Sequence, residues 1–194
     1  MQDGKLRIGV LALQGAFREH KLMLERCGAE VVEVRSPEQL DDVSGLIIPG
    51  GESTTIGKMM VRWGLLEKIR ERYAEGMGIY GTCAGMILLA KDIVGSDQPR
   101  LDLMDIRVKR NAFGRQRESF EADLVVPEFG PEPLRAVFIR APYVEAAGPA
   151  VQVLARVNDK IVIARQGRLL VTAFHPELTH SDQVHRYFMK MLQE

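Results

Sequence analysis

Short apolar runs alternate with helical patterns through the first half of the chain, and three of the four runs lead into a loop that contains glycine. Residues 6–13 (LRIGVLAL) are apolar at nearly every position, which suits a strand buried on both faces. Residues 30–34, 45–49 (GLIIP) and 78–81 are three further strand candidates. Between them, residues 17–27 carry a helical pattern ended by Gly28. Ser36-Pro37-Glu38-Gln39 sets a cap serine, a proline at the first helical position and a glutamine three residues after the serine, which predicts a short helix. A helix interrupted near Gly64 is expected over residues 54–73, and another over 84–91. Strands that alternate with helices are joined by crossovers, and crossovers make neighbouring strands parallel. The expectation is an α/β fold of three layers: an open sheet, mostly parallel, flanked by helices.

The second half changes character. Residues 105–110, 119–126, 135–139, 151–157, 161–165 and 169–174 read as strands, with Asn158-Asp159 as a tight turn. Antiparallel additions to the sheet account for them, and residues 181–192 read as a closing amphipathic helix. No repeat, low-complexity tract or linker divides the chain, so one domain over residues 1–194 is expected. Hydrophobic residues make up 46%, enough to fill a core. Lys plus Arg and Asp plus Glu number 26 each, so charge supplies no reason to expect a nucleic acid or membrane partner. No apolar stretch approaches the ~20 residues of a membrane span. The opening residues lack the layout of a signal peptide, and two cysteines make no disulfide framework. A cytoplasmic, reduced protein is the expectation.

The sharpest local feature is Gly81-Thr82-Cys83-Ala84-Gly85, between a strand and a helix. This is the G-x-nucleophile-x-G elbow, with cysteine as nucleophile. A residue on so tight a turn is forced into a strained backbone conformation, and only small neighbours fit around it. Its side chain stands at the C-terminal edge of the sheet. The helix N-terminus behind it favours the thiolate, and the Ala84 N–H can donate to a developing oxyanion. Taken alone, the turn is equally compatible with a small buried cysteine. Cys27, at the end of a helix without glycines around it, reads as core.

His175-Pro176-Glu177 follows the strand that ends near Phe174. Residues two apart in extended chain share a side, so Glu177 can orient His175, and an oriented imidazole can exchange protons with Cys83. By itself the tripeptide is also compatible with a surface turn. His20, His180 and His185 lack such context and read as exposed or structural. Pro49-Gly50-Gly51-Glu52-Ser53 ends another strand, where paired glycines let backbone N–H groups approach a ligand and Ser53 can cap the next helix. It lacks the spacing of a phosphate loop. All three elements fall beyond the carboxyl ends of strands, where open α/β sheets bind ligands.

In the order PGGES, GTCAG, HPE, the set resembles the class I, triad-type glutamine amidotransferases. The segments GVLALQGAFREH (9–20), IIPGGESTT (47–55), YGTCAGMILLAKDI (80–93), RNAFGRQRESFEADL (110–124), VFIRAP (137–142), ARQG (164–167) and FHPELT (174–179) are similar to one branch of that class, the glutaminase subunits of two-component pyridoxal 5'-phosphate synthases. The resemblance covers most of the chain in collinear order. It implies Cys83 as nucleophile, His175 as acid and base, Glu177 as orienting carboxylate, and Gly51 and Ala84 as the oxyanion hole. It further implies that L-glutamine is held by Gly51, Glu52, Ser53, Arg110, Ile139 and Arg140. Gln14 would lie near the site and the partner interface. The implied partner is an oligomeric (β/α)8-barrel synthase subunit that receives ammonia. No metal and no bound cofactor are expected. Three rivals stay open: a glutaminase for another synthase, such as that of the histidine pathway; a cysteine hydrolase of related fold; and a non-catalytic subunit, against which the intact Cys83, His175 and Glu177 argue.

Overall fold

A computed structural model describes residues 4–113 and 118–194; residues 114–117 of the 110–124 motif, and residues 1–3, lie outside the described residues. The elements run β1 (Arg7–Leu11), α1 (Phe17–Arg26), β2 (Glu30–Val34), β3 (Gly45–Ile48), α2 (Ser53–Arg62), α3 (Leu65–Ala74), β4 (Gly78–Thr82) and α4 (Ala84–Leu89). There follow β5 (Ala90–Ile93), β6 (Met104–Lys109), β7 (Ser119–Leu124), β8 (Leu134–Ile139), β9 (Tyr143–Ala147), β10 (Gln152–Val157), β11 (Lys160–Gln166), β12 (Leu169–Thr172) and α5 (Gln183–Met191).

One sheet of ten strands has the order β2-β1-β3-β4-β12-β11-β9-β6-β5, with β10 paired to β11. The first five strands of that order are parallel, and β11, β10 and β9 add antiparallel pairs. The strands β1, β3, β4 and β12 are buried almost throughout, as expected for a sheet covered on both faces. Register places the loops that matter: Ile48 is level with Gly81, and Thr82 with Thr172. The chain after β3, β4 and β12 therefore leaves the sheet at one edge and one height.

Local sequence explains many of the boundaries. Helix α1 buries His20, Met23 and Leu24, three positions of one helical face. It ends in a Schellman turn at Gly28 (φ 90°), with the N–H groups of Gly28 and Ala29 donating to the carbonyls of Glu25 and Leu24, each at 3.0 Å. Gly64 (φ 71°) separates α2 from α3, and Asn158 and Asp159, both left-handed, turn β10 into β11. The Ser36 capping box opens the expected short helix, which is a single 3₁₀ turn over Pro37–Leu40.

Four expectations are corrected. The helix expected over 84–91 stops at Leu89, because Ala90 turns extended and Ala90–Ile93 pairs in parallel with β6. Strand β9 was not expected: Val144 is its one fully buried residue, so it has no alternating pattern, yet it bridges β6 and β11. Strands β7 and β8 form a separate hairpin rather than joining the large sheet. Cys27 is half-buried rather than core. The His175 N–H donates to the Val137 carbonyl at 2.8 Å, which ties this hairpin to the loop after β12.

Candidate active site

Cys83 sits between β4 and α4 with φ 53° and ψ −102°, a conformation that costs on the order of 1–3 kcal/mol in a non-glycine residue. Its N–H donates to the Thr172 carbonyl at 2.8 Å, which holds the elbow against β12. The flanking glycines are required by contact. A Cβ on Gly81 would lie 2.5 Å from the Gly85 backbone, and one on Gly85 would lie 2.2 Å from the Ile48 carbonyl oxygen. Their absence lets α4 press onto β3 and β4. The thiol faces the Ile139 carbonyl at 4.0 Å.

His175 follows β12, and its Nδ1 lies 2.7 Å from Glu177 Oε1. The connection is not extended chain: Pro176–Leu178 forms a 3₁₀ turn, which folds the carboxylate back onto the ring. Burial on its own lowers the basicity of His175. Hydrogen bonding to Cys83 and Glu177, together with the Glu177 charge, outweighs it and pushes the pKa up to about 10. The ring thus lies between the thiol, with which it can exchange a proton, and the carboxylate, which holds it and favours its charged form.

Behind Glu177 lies a buried polar cluster to which sequence reasoning assigned no role. His20 Nε2 is 3.5 Å from Glu177 Oε2, and His20 Nδ1 is 2.8 Å from His185 Nε2. Tyr80 packs edge-on against both rings, with centroids 6.2 and 6.0 Å away, and donates to or accepts from Thr172 Oγ1 at 2.7 Å. Burial pushes His20 well below the usual histidine range and His185 down to about 3. The available clue was the position of His20 on the same helical face as Met23 and Leu24. His180 is exposed.

A cavity of about 470 Å³ opens over Cys83 and His175. Gly51, Glu52, Ser53, Ala84, Arg110, Ile139 and Arg140 line it, together with Gly15, Ala16, Gly50, Ile87, Asn111 and Leu178. Glu177 lies behind His175, outside the lining. Gln14 also lies outside it, and its Oε1 accepts the Glu52 N–H at 2.8 Å. The helix cap is Glu52, not Ser53: its carboxylate accepts the N–H groups of Thr54 and Thr55 at 3.1 and 2.7 Å. Hydrogen bonds from Thr55, chiefly its hydroxyl, hold that carboxyl below the usual range. Ser53 Oγ instead donates to Gln98 Oε1 at 3.3 Å, and Arg110 Nη1 donates to the same oxygen at 3.0 Å. Sequence reasoning missed Gln98 and Asn111. Asn111 (φ 46°) and Arg140 (φ 45°) are left-handed, which bends two strand ends around the cavity mouth.

The Gly50 carbonyl accepts the Ala16 N–H at 3.0 Å, so the trans peptide directs the Gly51 N–H away from that turn. A thiol and an imidazole in one cavity wall, with a carboxylate bonded behind the ring and two arginines nearby, suit nucleophilic attack on a carbonyl compound that carries an anionic group. Among the described residues no cluster of three His, Cys, Asp or Glu side chains could hold a metal ion, and no helix is long and apolar enough to cross a membrane.

Residues 10–194 match the model of a family described as the SNO glutamine amidotransferase family. The chain is 63% identical to the pyridoxal 5'-phosphate synthase subunit PdxT of Pelotomaculum thermopropionicum, over 95% of this chain and 94% of that one. It is 62% identical to the protein of the same name from Moorella thermoacetica, over 96% and 100%. A solved glutamine amidotransferase superposes with a TM-score of 0.92 at 52% identity, covering 96% of this chain and 99% of that one. At 20% identity, the structure of PurLQS from Thermotoga maritima shares the fold, with a TM-score of 0.71 over 97% and 100%.

Proposed function

The chain belongs to the SNO glutamine amidotransferase family and is a glutaminase; we propose that Cys83, His175 and Glu177 carry its chemistry and that its ammonia serves a pyridoxal 5'-phosphate synthase. The observation that carries the residue assignment is the meeting of Cys83 and His175 in the cavity wall, the thiol on a strained elbow and the Glu177 carboxylate behind the ring, 2.7 Å from the imidazole. The relatives at 63% and 62% identity are subunits of that synthase, which supports the partner. The resemblance adds the partner's character, an oligomeric (β/α)8 barrel. The whole chain acts as one glutaminase domain in the cytoplasm.

Arg110 and Arg140 supply positive charge for the α-carboxylate of glutamine, and Gly51, Ser53 and Ile139 line the rest of its path. The Cys83 sulfur, relieved of its proton by His175, attacks the side-chain carboxamide carbon. The tetrahedral oxyanion is met by the N–H of Ala84, in the unpaired first turn of α4, and by that of Gly51. His175 returns its proton to the amide nitrogen, the C–N bond breaks and ammonia leaves. Water, deprotonated by the same imidazole, then splits the thioester into glutamate and the free thiol. Glu177 holds the ring and stabilises its charged form.

The test is glutamate release from glutamine by the purified chain, with and without the synthase subunit, with Cys83→Ala as control. Activity that depends on Cys83 and rises with the synthase is the expected result. Substantial release by Cys83→Ala overturns the mechanism, and full activity indifferent to the synthase overturns the partner.

A further inference from the structure

We propose that His20 is a positioning residue of the glutaminase centre: its Nε2–H donates to the second oxygen of Glu177, and His185 sets the tautomer that makes the donation possible. The proposal rests on the reading of Cys83, His175 and Glu177 as the reacting triad.

Glu177 is fully buried, and its two oxygens face different partners. Oε1 takes the His175 Nδ1 proton at 2.7 Å. Oε2 is shielded from solvent and has no hydrogen bond, and the same is true of His20 Nε2, which faces it at 3.5 Å. That separation is long for a formed bond. A single proton on Nε2 nonetheless satisfies both atoms, whereas the other tautomer sets two lone pairs against each other in a dry interior.

His185 decides between the tautomers. One proton lies between His185 Nε2 and His20 Nδ1, 2.8 Å apart. If His185 donates it, His20 carries its own proton on Nε2, and the one group left over is a lone pair on His185 Nδ1, which is buried without a partner. If His20 donates it, His185 must bury an N–H that has no acceptor, and Glu177 Oε2 loses its donor as well. Orphaned buried N–H groups are the rarer and costlier case. The protons therefore point one way, from His185 to His20 to Glu177, and Glu177 receives from both sides.

Neutral rings suit this task. Burial holds both histidines uncharged, against the weaker pull of Asp182 on His185. A neutral donor orients the carboxylate without cancelling the charge that His175 needs. The edge-on Tyr80 ring fixes both imidazole planes. With Oε1 bonded to His175 and Oε2 facing the His20 N–H, rotation of the carboxylate plane is restrained, and Oε1 keeps His175 aimed at Cys83.

The experiment compares His20→Leu and His20→Gln in the full chain assembled with its synthase subunit. Glutamine carries an N–H donor at the reach of imidazole Nε2, and leucine carries none. His20→Leu is expected to lower kcat about 10- to 100-fold with KM for glutamine within about twofold, and His20→Gln to recover kcat to within about fivefold of the parent. Equal kcat in the two variants, at any level, overturns the proposal. A second measurement needs no variant. Histidine-selective 15N NMR of the unaltered chain is expected to show His20 and His185 neutral and protonated on Nε2, and a proton on His20 Nδ1 overturns the proposal. Absence of Cys83-dependent glutamate release in the unaltered complex would fail the triad instead, and the NMR result then decides the proton direction alone.

Discussion

Gly50 is where a single methyl group tests the geometry of the centre. Its backbone is outside the left-handed region, so alanine brings no torsional penalty. The whole effect is contact: the new Cβ would lie 2.4 Å from His175 Cε1, 3.0 Å from its Nδ1 and 3.5 Å from Cys83 Cβ. The loop cannot simply retreat, because the Gly50 carbonyl is bonded to the Ala16 N–H at 3.0 Å and packs against Gly15. The imidazole must therefore move by about 1 Å to restore ordinary contact, and a misplacement of that size costs about 10²-fold in rate, or about 2.7 kcal/mol of transition-state stabilisation. Overpacking adds about 1–3 kcal/mol of lost stability. Steady-state glutamate release by the assembled complex, with thermal unfolding alongside, measures both. Gly28→Ala is the control. It places a methyl in open space at φ 90°, so it should cost about 1–2 kcal/mol of stability and leave kcat/KM unchanged. A Gly50→Ala enzyme that keeps kcat/KM within about threefold refutes the reasoning, because it would mean that the ring tolerates displacement without consequence.

Arg110→Ala is expected to raise KM for glutamine about 10- to 100-fold, the loss of one charge-assisted contact, with kcat far less affected; a KM unchanged in steady-state kinetics removes Arg110 from the substrate site. Stability should peak near neutral pH for two opposite reasons. His20 and His185 are held neutral by burial, His185 with its pKa near 3, whereas the unfolded chain protonates them below about 6.5. The native state therefore loses stability through both histidines as pH falls below about 6.5, and for His185 the loss is about 1.4 kcal/mol per pH unit down to about 3. His175 is raised to about 10 against the burial that opposes it, so its contribution is complete below about 6.5 and is lost as pH climbs through 10. Melting temperature against pH, for the parent and for His185→Gln, checks this. The acid limb of the variant should be shallower, and superimposable acid limbs contradict the assignment.

What could be read from residues alone was what depends on near neighbours. The Gly28 turn, the Ser36 capping box and the Asn158-Asp159 turn are each decided within a few residues, by glycine's freedom, proline's fixed φ or a side chain reaching its own backbone. The Gly81–Gly85 elbow and the adjacency of His175 to Glu177 are of the same kind, and the parallel β-α alternation follows from apolar runs that need cover on both faces. One local feature was still misassigned. Glu52 and Ser53 can both cap a helix, and the choice of Glu52 is made at a distance, because Gln98 takes the Ser53 hydroxyl.

Long-range pairing settled the rest. Strand β9 has no alternating pattern because Val144 is its only fully buried residue, and it becomes a strand only because β6 and β11 offer it hydrogen bonds. Residues 90 and 91, expected in helix, join a strand over Ala90–Ile93 for the same reason. The cluster behind the site joins α1, the turn after β12 and α5, with His20 and His185 separated by 165 positions along the chain. Nothing local to either histidine reports the other. The sequence by itself determined which residues could do chemistry at the edge of an α/β sheet, since side-chain type and turn geometry are local properties. Only the tertiary structure decided which buried groups share a proton, since that requires two distant atoms to meet within hydrogen-bond reach where water cannot stand in for either.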